Sequence, residues 1–200
     1  MQISLDGAIE MYRGGFIYVI TGSMFAGKTG KLIRNLRRIE IRNEFSEDKK
    51  KIVLFKPQKD DRHKTSEVIS HNDYKFEAEV VPDVETIAAW VSKNKPDIVA
   101  IDEAQFFKVP KLLTLLIELA NQGKVIILTV LDQDFACRPF EGVPELLAEA
   151  EIVEKLHPIC VGCGKRASRT FRLSDSKELI QVGGKEDYTA LCRACRNDRS

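Results

Sequence analysis

The sequence predicts an α/β protein: a parallel sheet flanked by helices, with a small cysteine-rich domain at its C-terminal end. Three observations predict it. Short apolar, β-branched runs alternate with amphipathic stretches of helical period between residue 16 and about residue 156. The runs stop at a glycine, a proline or carboxylates, as buried strands do where they leave a sheet. After Cys160 the alternation ends, and short polar segments carry two Cys-x-x-Cys pairs and a Gly-Gly step.

The elements follow in order. FIYVIT (16–21) is aromatic and β-branched and ends at Gly22, which reads as a buried strand. Residues 28–42 set Leu32, Ile33, Leu36 and Ile39 at helical spacing with arginines between them, so a helix follows. NEFSEDKKK (43–51) is polar and charged and reads as a surface loop. IVLFKP (52–57) is a second strand stopped by its proline, 85–94 a helix, and DIVAID (97–102) a third strand. LLTLLIELANQG (112–123) is an amphipathic helix ended by Gly123, and VIILTVLD (125–132) a fourth strand. VPELLAEAEIVEKL (143–156) begins as a helix and ends as a strand. Such alternation implies right-handed crossovers between parallel strands. The expected division is a body of residues 1–159 and a small domain of residues 160–200. No repeat or low-complexity segment interrupts either, and the first fourteen residues receive no role.

Composition narrows the class. Two hundred residues, 44% hydrophobic and 30% charged, suit a globular chain with a sizeable core. No apolar run approaches the roughly 18 residues that span a bilayer, and the start lacks a basic-then-apolar leader, so no membrane partner and a cytoplasmic location are expected. Five cysteines in that compartment point to metal binding or free thiols rather than a disulfide framework. The net charge of +1 argues against a nucleic-acid partner. It hides a basic stretch over 34–64 (eleven basic, six acidic) and an acidic middle over 65–159 (eight basic, seventeen acidic). A polyanion facing the basic stretch should therefore be small.

Gly22-Ser23-Met24-Phe25-Ala26-Gly27-Lys28-Thr29 fits G-x-x-x-x-G-K-[ST] in full, between an apolar strand and an amphipathic helix. The glycines let the backbone wrap closely, so that successive N–H groups point at phosphate oxygens. The following helix adds its positive N-terminal end. Lys28 reaches the β- and γ-phosphates, and the Thr29 hydroxyl can ligate Mg²⁺. The strand at 97–102 ends in Asp102-Glu103: one carboxylate for the magnesium sphere, one to face the γ-phosphate as a base. Together these make the body a P-loop NTPase-like fold that binds a magnesium nucleoside triphosphate.

Cys160-x-x-Cys163 and Cys192-x-x-Cys195 bracket 28 residues. Each pair can hold one edge of a tetrahedron around Zn²⁺, with sulfur–metal distances of about 2.3 Å. A closed four-cysteine site leaves no open position, so the zinc is expected to be structural. The bracketed segment is longer than the roughly 15–20 residues of an ordinary zinc ribbon. Cys137 is left over and reads as a small buried hydrophobe.

Several motifs in order resemble the cytosolic (type II) thymidine kinases: GSMFAGKT, KPQKDDR (56–62), SHND (70–73), IDEAQFF (101–107), LDQDFACRPF (131–140), CVGC and VGGKEDYTALCRAC. The resemblance spans about residues 16–196. It implies transfer of the γ-phosphate of ATP to the 5′-hydroxyl of thymidine, with Glu103 as general base. Arg62 resembles the family's arginine near the phosphates, and Gln105 falls on the nucleotide side of the same site. Met24, Phe106, Leu131, Phe135 and Phe140 match positions lining a pyrimidine pocket. Thr170, Tyr188 and the backbone around Gln181, Val182 and Gly183 match a zinc-anchored "lasso" folded over the nucleoside. The resemblance further implies a homotetramer and feedback inhibition by thymidine triphosphate. Taken without it, Phe106, Phe107, Phe135 and Phe140 would be core residues and His71 a structural hydrogen-bonding residue.

Two rival functions use parts of the same pattern. A P-loop ATPase would have Glu103 activate water, leaving the long inter-cysteine segment unexplained. A zinc-ribbon module binding nucleic acid would suit the basic tail, leaving the phosphate loop without a use.

Overall fold

The structure, a computed structural model, describes residues 5–58, 67–69, 75–173 and 186–199. Phe16–Thr21 (β1) is buried at every position. A strand covered on both faces needs no polar alternation, which is why its sequence is a continuous apolar run. Around it lie Ile52–Pro57 (β2), Glu79–Val81 (β5), Ile98–Ile101 (β6), Val125–Val130 (β7) and Ile152–Lys155 (β8). Their order is β5-β2-β6-β7-β1-β8, and every pairing is parallel. The expected parallel sheet is present; the strand foreseen at the end of 143–156 forms one edge as β8, and β5 adds an unforeseen strand at the other.

Helices cover both faces. Leu32, Ile33, Leu36 and Ile39 of Lys28–Phe45 (α2) pack with Tyr18, Ile20, Leu54, Ala100 and Ile127 on one face. On the other face Val84–Asn94 (α3), Val109–Asn121 (α4) and Val143–Glu149 (α5) bring Ile87, Val91, Leu112, Leu116 and Leu146 against Val19, Phe55, Ile101 and Leu128. Asp83 caps α3 by accepting from the Thr86 backbone N–H at 2.8 Å. Helix α4 starts three residues before the expected position, because Pro110 fits a first turn, where its missing N–H has no partner to lose.

Other boundaries differ for physical reasons. Helix α2 runs on to Phe45, so the loop at 43–51 shortens. Asn43 then ties it down, donating to Lys50 O at 2.7 Å and accepting from Lys50 N at 2.8 Å. The first fourteen residues contain a helix, Leu5–Met11 (α1). It buries Leu5 and Ala8 in the same core as α2, and its Asp6 pairs with Arg38 at 2.5 Å. Glu67–Ile69 (β3) and Lys75–Glu77 (β4) form an antiparallel ladder that the pattern did not foretell.

In the C-terminal segment Arg169–Arg172 (β9) and Tyr188–Leu191 (β10) pair antiparallel, followed by Arg193–Asn197 (α6). Cys160, Ala167, Ala190 and Leu191 form its small core. Among the described residues no helix is long and apolar enough to cross a membrane.

Candidate active site

Strand β1 delivers the chain to residues 22–29 at its C-terminal end, with β7 between it and β6. Two glycines make the bend possible. Gly22 has φ 135°, and a Cβ there would lie 2.3 Å from the Leu156 carbonyl oxygen; Gly27 has φ 80°. Gly27 precedes α2, and no side chain caps that helix start, which leaves its first N–H groups for an anion. Lys28 is buried and donates from Nζ to Ser23 O at 3.1 Å, folding its ammonium back over the loop. The Ser23 hydroxyl is also buried, with no hydrogen-bond partner among the described residues. A buried cation and an unsatisfied hydroxyl inside a bend of backbone amides fit a phosphate group.

The two carboxylates after β6 are held differently. Thr29 donates its hydroxyl to Asp102, 3.1 Å from each carboxylate oxygen, and Thr129 on β7 donates to Asp102 Oδ1 at 2.5 Å. The hydroxyl and carboxylate oxygens so gathered are hard donors that suit Mg²⁺. Glu103 has φ 52° and ψ 47°, the left-handed region that non-glycine residues rarely adopt. Its N–H donates to Thr129 Oγ1 at 2.9 Å, and its Oε2 accepts from Gln105 Nε2 at 2.5 Å. Gln105 in turn accepts from the Leu131 N–H at 3.0 Å. Backbone strain held by this network fixes where the Glu103 carboxylate sits. Thr129 was not singled out from the sequence, although a polar residue inside VIILTV was the signal available.

The four cysteines of the two Cys-x-x-Cys pairs converge: their sulfurs lie within 4.8 Å of one another. Cys163 and Cys192 are 3.7 Å apart, close to the ~3.8 Å edge of a tetrahedron with 2.3 Å arms. Burial pushes the Cys160 thiol up, but N–H groups of Cys192, Gly162 and Cys163 outweigh it and bring it down to about 6. Hydrogen bonds with Cys192 and Cys163, burial and the neighbouring Cys160 push the Cys195 thiol up to about 12, so one thiolate is shared among neighbouring thiols. Four sulfurs at tetrahedral spacing fit zinc. Cys137 does not join a core as expected; it is half-buried at φ 64° in the loop after β7.

Of the segments assigned to the nucleoside pocket, the one that carries Thr170 meets the phosphate loop. Thr170 on β9 accepts from the Met24 N–H at 3.1 Å, and Phe25 packs against the cysteine core. Phe106, Leu131, Phe135 and Phe140 are half-buried; Phe140 packs against the core beside α4 and α5, and Phe107 lies within that core. Arg169 donates to Gln133 Oε1 at 2.8 Å, and Arg196 to Phe135 O at 3.4 Å, so the loop at 131–140 is bound to the cysteine segment. Arg172 stacks on Phe135 and donates to Tyr188. Nothing in the sequence marks 169–172 as a strand, so Arg169 and Arg172 carry no signal there. Arg62, His71 with the rest of SHND, and Gln181, Val182 and Gly183 lie outside the described residues.

A family model described as "Thymidine kinase" matches residues 15–196. Three curated relatives carry the same description. One from Deinococcus radiodurans is 41% identical over 198 residues, covering 92% of this chain and 90% of the relative. One from Rhodothermus sp. is 40% identical over 181 residues, covering 90% and 81%. One from Thermococcus kodakarensis is 42% identical over 193 residues, covering 92% and 94%.

Proposed function

The chain belongs to the thymidine kinase family, and from that premise we propose that it transfers the γ-phosphate of ATP to the 5′-hydroxyl of thymidine or deoxyuridine. The product is the 5′-monophosphate, a precursor for DNA synthesis made by pyrimidine salvage. Glu103 takes the proton from the 5′-hydroxyl. The observation that carries this role is the network locking Glu103 beside Asp102, whose carboxylate is bonded to Thr29 of the phosphate loop. One carboxylate is thus tied to the phosphates' cradle, and its neighbour is aimed by a strained backbone.

The residues of loop 22–29 bind the triphosphate, with Gln105 supporting the site through Glu103. Lys28 and Arg62 offset charge developing on the transferred group. Thr29 and Asp102 would hold Mg²⁺, which neutralises phosphate charge when bound. Little covalent work falls to the protein, so catalysis rests on positioning and electrostatics. Met24, Phe106, Leu131, Phe135, Phe140, Thr170, Tyr188 and residues 181–183 form the nucleoside pocket. The four cysteines hold a structural Zn²⁺, and the segment 160–200 serves as its cover over the body of residues 1–159.

Family membership supports three further parts of the reading: a cytoplasmic homotetramer, no nucleic-acid partner, and feedback inhibition by thymidine triphosphate. The decisive experiment incubates the chain with ATP, Mg²⁺ and a panel of nucleosides. Monophosphate from thymidine and deoxyuridine is the expected product. ATP hydrolysis indifferent to every nucleoside would instead establish an ATPase.

A further inference from the structure

We propose that Arg172 is a positioning residue that sets the spacing between two walls of the nucleoside pocket, Phe135 and Tyr188; the pocket assignment itself rests on the function proposed above. Arg172 lies on β9, directly across the ladder from Tyr188. Its side chain is directed away from solvent, with only 7% of the residue exposed. The guanidinium carbon stands 3.7 Å from the centroid of the Phe135 ring. Its Nη2 donates to the Tyr188 hydroxyl oxygen at 2.8 Å, and the same guanidinium carbon is 5.3 Å from the Tyr188 ring centroid.

Burying a guanidinium is costly unless its charge and donors are used. Here the flat face meets one aromatic ring and an edge donor meets the other residue's hydroxyl. Only arginine offers a plane and a fork in one group; lysine offers a point charge. The two aromatics come from very different supports. Tyr188 is on a strand, whereas Phe135 is in an irregular loop between buried Asp134 and exposed Ala136. Arg169 and Arg196 hold that loop at Gln133 and at the Phe135 carbonyl, whereas Arg172, among the described residues, is the cation that lies on the Phe135 ring itself. A flat base held between pocket walls requires their separation fixed to about half an ångström. Arg172 supplies that fixed separation before the nucleoside arrives, so its contribution falls on nucleoside binding rather than on nucleotide binding or chemistry.

The test measures KM for thymidine and for ATP separately, with kcat, zinc content and thermal midpoint, in the full chain and in Arg172→Gln. Loss of the stacking and of the hydrogen bond should raise thymidine KM about tenfold, with ATP KM and zinc content within about twofold of the parent. Arg172→Lys, which keeps the charge but not the plane, should recover only part of the loss, and it carries the test if glutamine prevents folding. Parallel rises in both KM values, or a lowered thermal midpoint with unchanged thymidine KM, would make Arg172 merely structural. A fall in thymidine KM would show that Arg172 occupies the nucleoside's place, and it too overturns the proposal. Should the unaltered chain phosphorylate no thymidine, the functional reading fails along with this one. Unchanged thymidine KM in an active variant overturns this one alone.

Discussion

The backbone N–H of Met24, in the phosphate loop, donates to the hydroxyl oxygen of Thr170, on β9 of the cysteine segment, at 3.1 Å. Its neighbour Phe25, at φ 65°, packs against the core formed by Cys160, Ala167, Ala190 and Leu191. The loop at 22–29 is therefore fastened to the segment that holds the four cysteines. Thr170→Val keeps the side-chain shape, removes the acceptor and leaves the Met24 N–H to be satisfied elsewhere. A lost bond of about 1 kcal/mol corresponds to roughly fivefold weaker ATP binding. Calorimetric titration with a non-hydrolysable ATP analogue measures this, and unchanged affinity would mean the loop keeps its form without Thr170.

Glu103→Gln changes the acid–base capacity of one group while keeping its size. The backbone bond from Glu103 N to Thr129 does not involve the side chain, so the left-handed turn should persist. Turnover should fall by about 10²-fold or more, the typical contribution of a general base, with ATP affinity nearly unaltered. Single-turnover kinetics beside an ATP titration separate the two. Near-normal turnover would remove Glu103 from its role.

Removing zinc should dismantle the cover and spare the body. None of the four cysteines belongs to either core of the six-stranded sheet. The small core around Cys160 and Leu191 buries too little to order itself, and thiolate–zinc bonding of about 10 kcal/mol would supply the difference. A chelator, or Cys163→Ala, should abolish thymidine phosphorylation while far-ultraviolet circular dichroism retains the helices on the sheet. Collapse of the whole spectrum on metal loss would show that the sheet depends on the cysteine segment.

What could be read from the sequence follows from where burial is complete. Strands β1, β2, β6 and β7 are covered on both faces, and they appear as unbroken apolar runs. Helix α1 turns only Leu5 and Ala8 fully inward, too few positions to show a period, and β3, β4 and β5 are three residues each. The same divide runs through the site. Contiguous groups such as 22–29, Asp102-Glu103 and the cysteine pairs announce their chemistry through spacing. Thr129 beside Asp102 and Glu103, and Arg172 between Phe135 and Tyr188, join segments distant in sequence, and only the folded chain brings them together.

The last prediction concerns pH and a buried phenol. Tyr18, on β1, donates its hydroxyl to the carboxylate of Glu154 on β8, and Lys31 on α2 pairs with the same carboxylate at 3.1 Å. Burial, then the hydrogen bond to Glu154 and its negative charge, push the Tyr18 pKa well above its ordinary value of 10.0. The unfolded chain releases this proton near pH 10, whereas the folded chain keeps it. The contribution to stability is therefore complete below about pH 10 and declines as pH rises toward the higher folded value. Denaturant unfolding at a series of pH values between about 9 and 11 should show the parent losing stability more steeply than Tyr18→Phe, which has no proton to release. Because lysines and other tyrosines titrate in both proteins, the difference between the two curves isolates Tyr18. Parallel curves would mean that Tyr18 ionises with the same ease folded and unfolded, and that the Glu154 contact does not hold its proton.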